Sequence, residues 1–359
     1  MIQDMVRRHY RDLVPYTPIV PTGVLSKAEG LSETEIIKLD GNENLYGPSP
    51  KALQAIRSFD SYHIYPDPVH RALRAKLADY VGVPAEHIIA GNGSDEIIDL
   101  LMRLFLDPGD IVINCPPSFG MYPFNTQVCA GTLAEITRKL DFTLDIQQII
   151  RQAEDTRAKL IFLTSPNNPT GNLLSAGELQ AVLDTGIVVV VDEAYQEFAS
   201  SQSFVKLAPQ HENLVVLRTF SKWAGLAGLR VGYGVLSAEL VRILDEIKPP
   251  YNVNVAALVA AEASLDDRET LLQRVKLMVQ ERERLFEKLK SVPYLEPIPS
   301  EANFILCRVK GRESAEVKSV LERQGIFIKR VVGPLLDNAV RISVGKPEHT
   351  DALMAALAR

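Results

Sequence analysis

The sequence predicts an α/β protein: a large domain with a mainly parallel sheet between helices, joined to a smaller α+β domain built from the N- and C-terminal segments. Three observations carry this expectation. From about residue 85, short apolar runs alternate with helical patterns. Several runs are apolar at consecutive positions, as in strands buried on both faces of a parallel sheet. After the long charged-and-apolar helix "ETLLQRVKLMVQERERLFEKLKSV" the pattern changes to isolated strands with helices between them.

Residues 1–45 are rich in proline and turn formers, have no core of their own, and are expected to pack on the small domain. The large domain is assigned to 46–270. Its alternating pattern begins with "HIIAG", a strand, followed by "SDEIIDLLMRLFL", in which Ile97, Ile98, Leu100, Leu101, Leu104 and Phe105 recur at helical spacing. The strands "DIVINCPP", "AKLIFLTSP", "GIVVVVDEA", "NLVVLRTF" and "RVGYGVL" come next. Residues 271–359 form the small domain, with "ANFILCRV", "GIFIKRV" and "AVRISVG" as its strands.

The totals narrow the function. Hydrophobic content of 46% and charged content of 23% suit a soluble globular protein with a large core. A net charge of −6 gives no basic excess to neutralise phosphates, which argues against a nucleic-acid partner. Cys115, Cys129 and Cys307 are widely spaced and odd in number, so they make neither a disulfide framework nor a metal site. A reducing cytoplasm is the expected compartment. The N-terminus has no apolar signal region, and the strongest apolar run, "GIVVVV", is too short to span a bilayer.

Open α/β sheets bind ligands beyond the carboxyl ends of their strands. After "HIIAG" stands "NGSDE", where Gly93, Ser94 and Asp95 open a helix and offer free N–H groups to an anion; the same residues also read as a plain helix cap. After "KLIFLTS" stands "PNNPTG" with Asn168, which also reads as turn chemistry. Asp192 follows the most buried strand, with Tyr195 three residues on, and a carboxylate there is costly without a cation. Ser221 and Lys222 follow "NLVVLRTF", and Arg230 is the next charge. One ligand uses all of these. Pyridoxal 5′-phosphate has an aldehyde for a lysine, a ring nitrogen for a carboxylate, a phenolic oxygen for donors, and a phosphate for a helix N-terminus and an arginine.

In Asn168-Pro-Thr-Gly171, Asp192 with Tyr195, and Ser221-Lys222 with Arg230, the chain resembles the fold-type I pyridoxal-phosphate aminotransferases over essentially its whole length. Within them, "LDGNENLYGP", "YPDP", "AGNGSDE" and "VRISVGK" resemble the histidinol-phosphate aminotransferases. The resemblance implies transfer of an amino group from histidinol phosphate to 2-oxoglutarate, giving imidazole acetol phosphate and glutamate, in histidine biosynthesis. It implies that Lys222 condenses with the cofactor aldehyde and then shuttles a proton. Asp192 would pair with the ring nitrogen, and Asn168 and Tyr195 would bond the phenolic oxygen. Phe119 would stack on the ring, unless it is a core aromatic. Gly93, Ser94, Asp95, Thr219, Ser221 and Arg230 would surround the phosphate. Tyr65 would reach the neighbouring subunit of a homodimer with shared active sites.

Arg341 matches the arginine that grips the acidic end of the substrate; otherwise it is a strand-edge surface residue. Tyr16 and Asn44 are further substrate-binding candidates by the same resemblance. Where that group has an arginine followed by an acidic residue, this chain reads Lys329-Arg330, and either could make a second phosphate contact. An aromatic amino-acid aminotransferase is the main alternative, a phosphothreonine decarboxylase a lesser one. An aminotransferase-like transcription regulator would need a DNA-binding module, yet only 38 residues precede "LDGNEN". The glycine string lacks the third glycine of a dinucleotide site.

Overall fold

The computed structural model describes residues 1–11 and 13–358. The first strand, β1 (Ile37–Leu39), belongs to the smaller of two sheets. The larger sheet holds β2 (Ile88–Gly91), β3 (Ile111–Asn114), β4 (Thr132–Glu135), β5 (Leu160–Thr164), β6 (Val188–Asp192), β7 (Leu214–Thr219) and β8 (Gly232–Val235). Their spatial order is β2-β8-β7-β6-β5-β3-β4, and β8 alone runs against its neighbours.

The consecutive apolar runs have a direct physical cause. Along β6, Val189 and Val191 enter one core and Val190 the other; along β5, Ile161 and Leu163 oppose Leu160 and Phe162. Successive side chains of a strand point to opposite faces, so a sheet covered on both sides needs apolar residues at every position. Each such side chain, fully buried, contributes about 1.5–3 kcal/mol.

This topology gathers the ligand-facing residues. The carboxyl ends of β2, β5, β6 and β7 lie along one edge, and the reversed β8 begins there, its Gly232 opposite both Gly91 and Thr219. Arg230, just before β8, therefore arrives where Gly93, Asp192 and Lys222 leave their strands.

The smaller sheet adds β9 (Leu295–Pro297), β10 (Phe304–Val309), β11 (Ile326–Val331) and β12 (Ala339–Ser343), in the order β1-β11-β12-β10-β9. Only the β1–β11 pair is parallel. Helix Arg268–Leu289 serves both units: Leu271, Val275 and Met278 join the large core, Leu285 and Leu289 the small one. The N-terminal segment departs from the expectation that it packs on the small domain. Strand β1 does so, but the His9 ring nitrogen and the Tyr10 hydroxyl each lie 3.2 Å from the carbonyl of Val128, on the large unit. Val128 ends helix Met121–Val128, where carbonyls lack partners within the helix.

Candidate active site

Lys222 lines a cavity of about 340 Å³ together with Asp192, Asn168, Tyr195, Ser94 and Arg230. Its Nζ donates to the carbonyl of Gly41 at 3.3 Å and sits 5.8 Å from the centre of the Tyr195 ring. Burial, then the positive fields of Arg341 and Arg230, lower its pKa to about 8 against the opposing pull of Glu43. The neutral, nucleophilic form is thus more populated near physiological pH than for an ordinary lysine, though the protonated form still predominates below pH 8.

Asp192 is buried in the wall of the same cavity. Its Oδ2 accepts from the Tyr122 hydroxyl at 2.8 Å and its Oδ1 from the Ala194 N–H at 3.0 Å. Burial still raises its pKa to about 6, with both hydrogen bonds opposing that rise. A carboxylate held this way is stabilised by any cation that enters. The buried Arg218 on β7 pairs with Glu193 at 3.2 Å and with Glu197, tying the turn after β6 to the strand that leads into Lys222.

The third corner is an anion cradle. Helix Ser94–Phe105 starts at the cavity wall, with Gly93 as its cap at φ 79°. Arg230 donates to Asp95 Oδ2 at 2.9 Å and to Ser221 Oγ at 3.4 Å, and the Ser221 N–H donates to Thr219 Oγ1 at 3.1 Å. A Cβ on Gly93 would come within 2.6 Å of Arg230 Nη2, and one on Gly232 within 2.5 Å of the Ser94 nitrogen. Both positions need glycine, since the sheet edge, helix start and arginine pack without space for a side chain.

A second cavity of about 480 Å³ shares Phe119 and Asn168 with the first and is lined by Tyr16, Lys329, Arg330 and Arg341. Arg341 is buried. It donates from Nη1 to Asn168 Oδ1 and from Nη2 to the Asp40 carbonyl, both at 2.7 Å, while its Nε has no partner. Lys329 stands opposite Arg341 in the β11–β12 register, so the two share one face of the sheet. Burial, then the positive charge of Arg341, lowers the Lys329 pKa.

Residues 34–359 match the model of the family "Aminotransferase class I and II". The chain belongs to this family. It is 49% identical to the chloroplastic histidinol-phosphate aminotransferase of Nicotiana tabacum, over 98% of this chain and 86% of that one. It is 47% identical to the histidinol-phosphate aminotransferase of Roseiflexus castenholzii, over 99% and 98%. The crystal structure of histidinol-phosphate aminotransferase from Sinorhizobium meliloti, in complex with pyridoxal-5′-phosphate, superposes with a TM-score of 0.88 at 26% identity, covering 98% of this chain and 96% of that one.

The donor set of this aminotransferase fits such a cofactor. A buried carboxylate, an amine of lowered basicity and an anion cradle closed against side chains stand around one cavity. Gly93, Ser94, Asp95, Thr219, Ser221 and Arg230 meet at the cradle as the sequence suggests, and Phe119 lines the same cavity. Arg341 is no strand-edge surface residue; β12 lies between β10 and β11. Two expected residues stand elsewhere. Tyr65 is 77% exposed and stacks on Tyr251, and it lines neither of the two cavities described above. Asn44 is occupied structurally: its Nδ2 donates to the carbonyls of Lys222 and Trp223, and its Oδ1 accepts from the Tyr46 N–H.

Sequence reasoning missed Asn42, Tyr122 and Ile19. Asn42 Nδ2 donates to the Tyr195 hydroxyl at 3.0 Å, and Ile19 lines the first cavity. Tyr122 lies in "SFGMYPF", an aromatic cluster that reads as core. The available signal was the buried Asp192, which needed a donor. Among the described residues, no helix is long and apolar enough to cross a membrane.

Proposed function

We propose that this aminotransferase uses pyridoxal 5′-phosphate to move the amino group of histidinol phosphate to 2-oxoglutarate, giving imidazole acetol phosphate and glutamate in histidine biosynthesis. The observation that carries the substrate is the pairing of Lys329 with Arg341 on one face, opening on a cavity continuous in its lining with that of Lys222. Two adjacent cations suit a phosphate dianion. An aromatic amino acid would leave Lys329 without an anionic partner, a poor use of a half-buried charge.

In this reading Asp192 holds the ring nitrogen protonated, Asn168 and Tyr195 hold the phenolic oxygen, and Phe119 covers the ring. Ser94, Asp95, Thr219, Ser221 and Arg230 hold the cofactor phosphate, Gly93 leaving room for it. The bound cofactor supplies an electron sink for the carbanion left when the substrate Cα proton is removed. Lys222 Nζ takes that proton and returns it. Arg341 and Lys329 grip the donor phosphate, and Arg341 then accepts a carboxylate of 2-oxoglutarate, with Tyr16 closing the cavity beside them.

The functional unit in this reading is a cytoplasmic homodimer, in which the exposed Tyr65 of each copy completes the site of the other. The same reading divides each chain into a cofactor domain, 46–270, and a small domain, 271–359, preceded by the segment 1–45. The test is a balance: supplied with histidinol phosphate and 2-oxoglutarate, the holoenzyme forms glutamate and imidazole acetol phosphate in equal amounts. Absence of glutamate with this donor would reject the assignment.

A further inference from the structure

We propose that Asn42 and Ser343 are positioning residues that turn the hydroxyl proton of Tyr195 into the active-site cavity, so that Tyr195 acts there as a donor. The inference rests on the reading of Tyr195 as a partner of the cofactor's phenolic oxygen and adds what sets the direction of that bond.

The direction follows from which atoms can donate. Asn42 sits at φ 51°, a left-handed conformation that asparagine tolerates better than most residues. Its backbone N–H donates to Ser343 Oγ at 2.8 Å. With its oxygen engaged as acceptor, Ser343 donates its own proton to Asn42 Oδ1 at 2.9 Å. That fixes the amide with Nδ2 outward, 3.0 Å from the Tyr195 oxygen. An amide NH₂ offers no lone pair, so the phenol oxygen must accept. Among the described residues Asn42 is the one hydrogen-bond partner of this hydroxyl, and Tyr195 lines the cavity. Its proton is therefore unused by the described residues.

The arrangement is closed and buried. Asn303 Nδ2 donates to the Asn42 carbonyl at 3.0 Å, so all four polar groups of Asn42 are engaged. Burial raises the Tyr195 pKa above its ordinary value; Arg341 and the Asn42 bond oppose this, while Asp192 and Tyr16 add to it. The phenol thus keeps its proton at neutral pH. Ser343 ends β12, two positions beyond Arg341, and Asn303 directly precedes β10, so both come from the small sheet. Tyr195 belongs to the turn after β6, and its orientation is set from across the boundary between the sheets.

The test is a pH titration of the near-visible absorbance of the holoenzyme. The variants are Tyr195→Phe, Asn42→Asp, Ser343→Ala, and each of the last two combined with Tyr195→Phe. Aspartate also tolerates the left-handed backbone, but its carboxylate accepts instead of donating and so draws the Tyr195 proton away. Loss of the donor should raise the apparent pKa of the bound cofactor in Tyr195→Phe and Asn42→Asp by about one unit, a tenfold change in the protonation equilibrium. Ser343→Ala should give a smaller rise, and neither substitution should add further in the Tyr195→Phe background.

A full Asn42→Asp shift in that background would mean a through-space charge effect and overturn the inference. So would a shift in Tyr195→Phe alone, with Asn42→Asp and Ser343→Ala at the wild-type value. An unchanged pKa in Tyr195→Phe would reject the role of Tyr195 itself, and the inference with it. Thermal melting of each apoprotein checks folding; if Asn42→Asp does not fold, the Ser343→Ala pair decides.

Discussion

Arg341 reaches from the centre of the small sheet to donate, at 2.7 Å, to the side-chain oxygen of Asn168 at the edge of the large one. The residue read as the substrate grip is thereby fixed to a residue read as a cofactor contact. Arg341→Ala should therefore damage both half-reactions. A charge-assisted contact is worth roughly 1.5–3 kcal/mol, so kcat/KM should fall about ten- to a hundredfold for histidinol phosphate and for glutamate alike. Single-turnover measurement of each half-reaction checks this.

Lys329 and Arg330 should separate. Lys329 shares a sheet face with Arg341, whereas Arg330 donates from Nε to Ser314 Oγ and is exposed. Lys329→Ala is expected to weaken the phosphorylated donor about ten- to a hundredfold in kcat/KM while leaving the glutamate half-reaction near wild type. Arg330→Ala should change both by little. Steady-state kinetics with the two donors reads the difference.

Cofactor loading should depend on the charge of Lys222. Its pKa is lowered to about 8, so the neutral, nucleophilic fraction grows as pH rises through that value. The rate at which apoprotein gains near-visible absorbance with pyridoxal phosphate should rise between pH 7 and 9 and then level. Lys222→Ala should show no such absorbance and no turnover.

Tyr122→Phe removes a donor to Asp192, so the raised pKa of that carboxylate should rise further. A carboxylate more easily protonated holds the ring nitrogen less well. The hydrogen bond is worth roughly 1.5–3 kcal/mol, which predicts about ten- to a hundredfold weaker retention of cofactor. Equilibrium dialysis of the holoenzyme measures it. Asp192→Asn should keep some cofactor but lose most activity, because a neutral amide cannot hold the ring nitrogen protonated.

The strand ends were legible because physics writes them plainly. A run such as "VVVVD" tells of burial on both faces and then of a carboxylate left at the end, and Lys222 after "NLVVLRTF" reads the same way. Direction and register were not legible. Nothing in "RVGYGVL" says that β8 runs backwards, yet that reversal brings Arg230 to the cradle. The separation proposed for Lys329 and Arg330, which line one cavity, needed the β11–β12 register, because neighbouring strand residues face opposite ways. Asn42 and Asn44 stand two apart in one turn, and sequence cannot tell which meets Tyr195 and which braces the Lys222 loop. The first residues carry little apolar pattern, and nothing in it foretells that His9 and Tyr10 meet the Val128 carbonyl at a helix end.

The most direct measurement of the central claim is a panel of amino donors with 2-oxoglutarate as acceptor: histidinol phosphate, phenylalanine, tyrosine and aspartate, compared by kcat/KM on the holoenzyme. Histidinol phosphate should rank first, and Lys329→Ala should narrow its lead without changing the order of the others. A higher kcat/KM for phenylalanine or tyrosine, unaffected by Lys329→Ala, would contradict the account and make the protein an aromatic amino-acid aminotransferase.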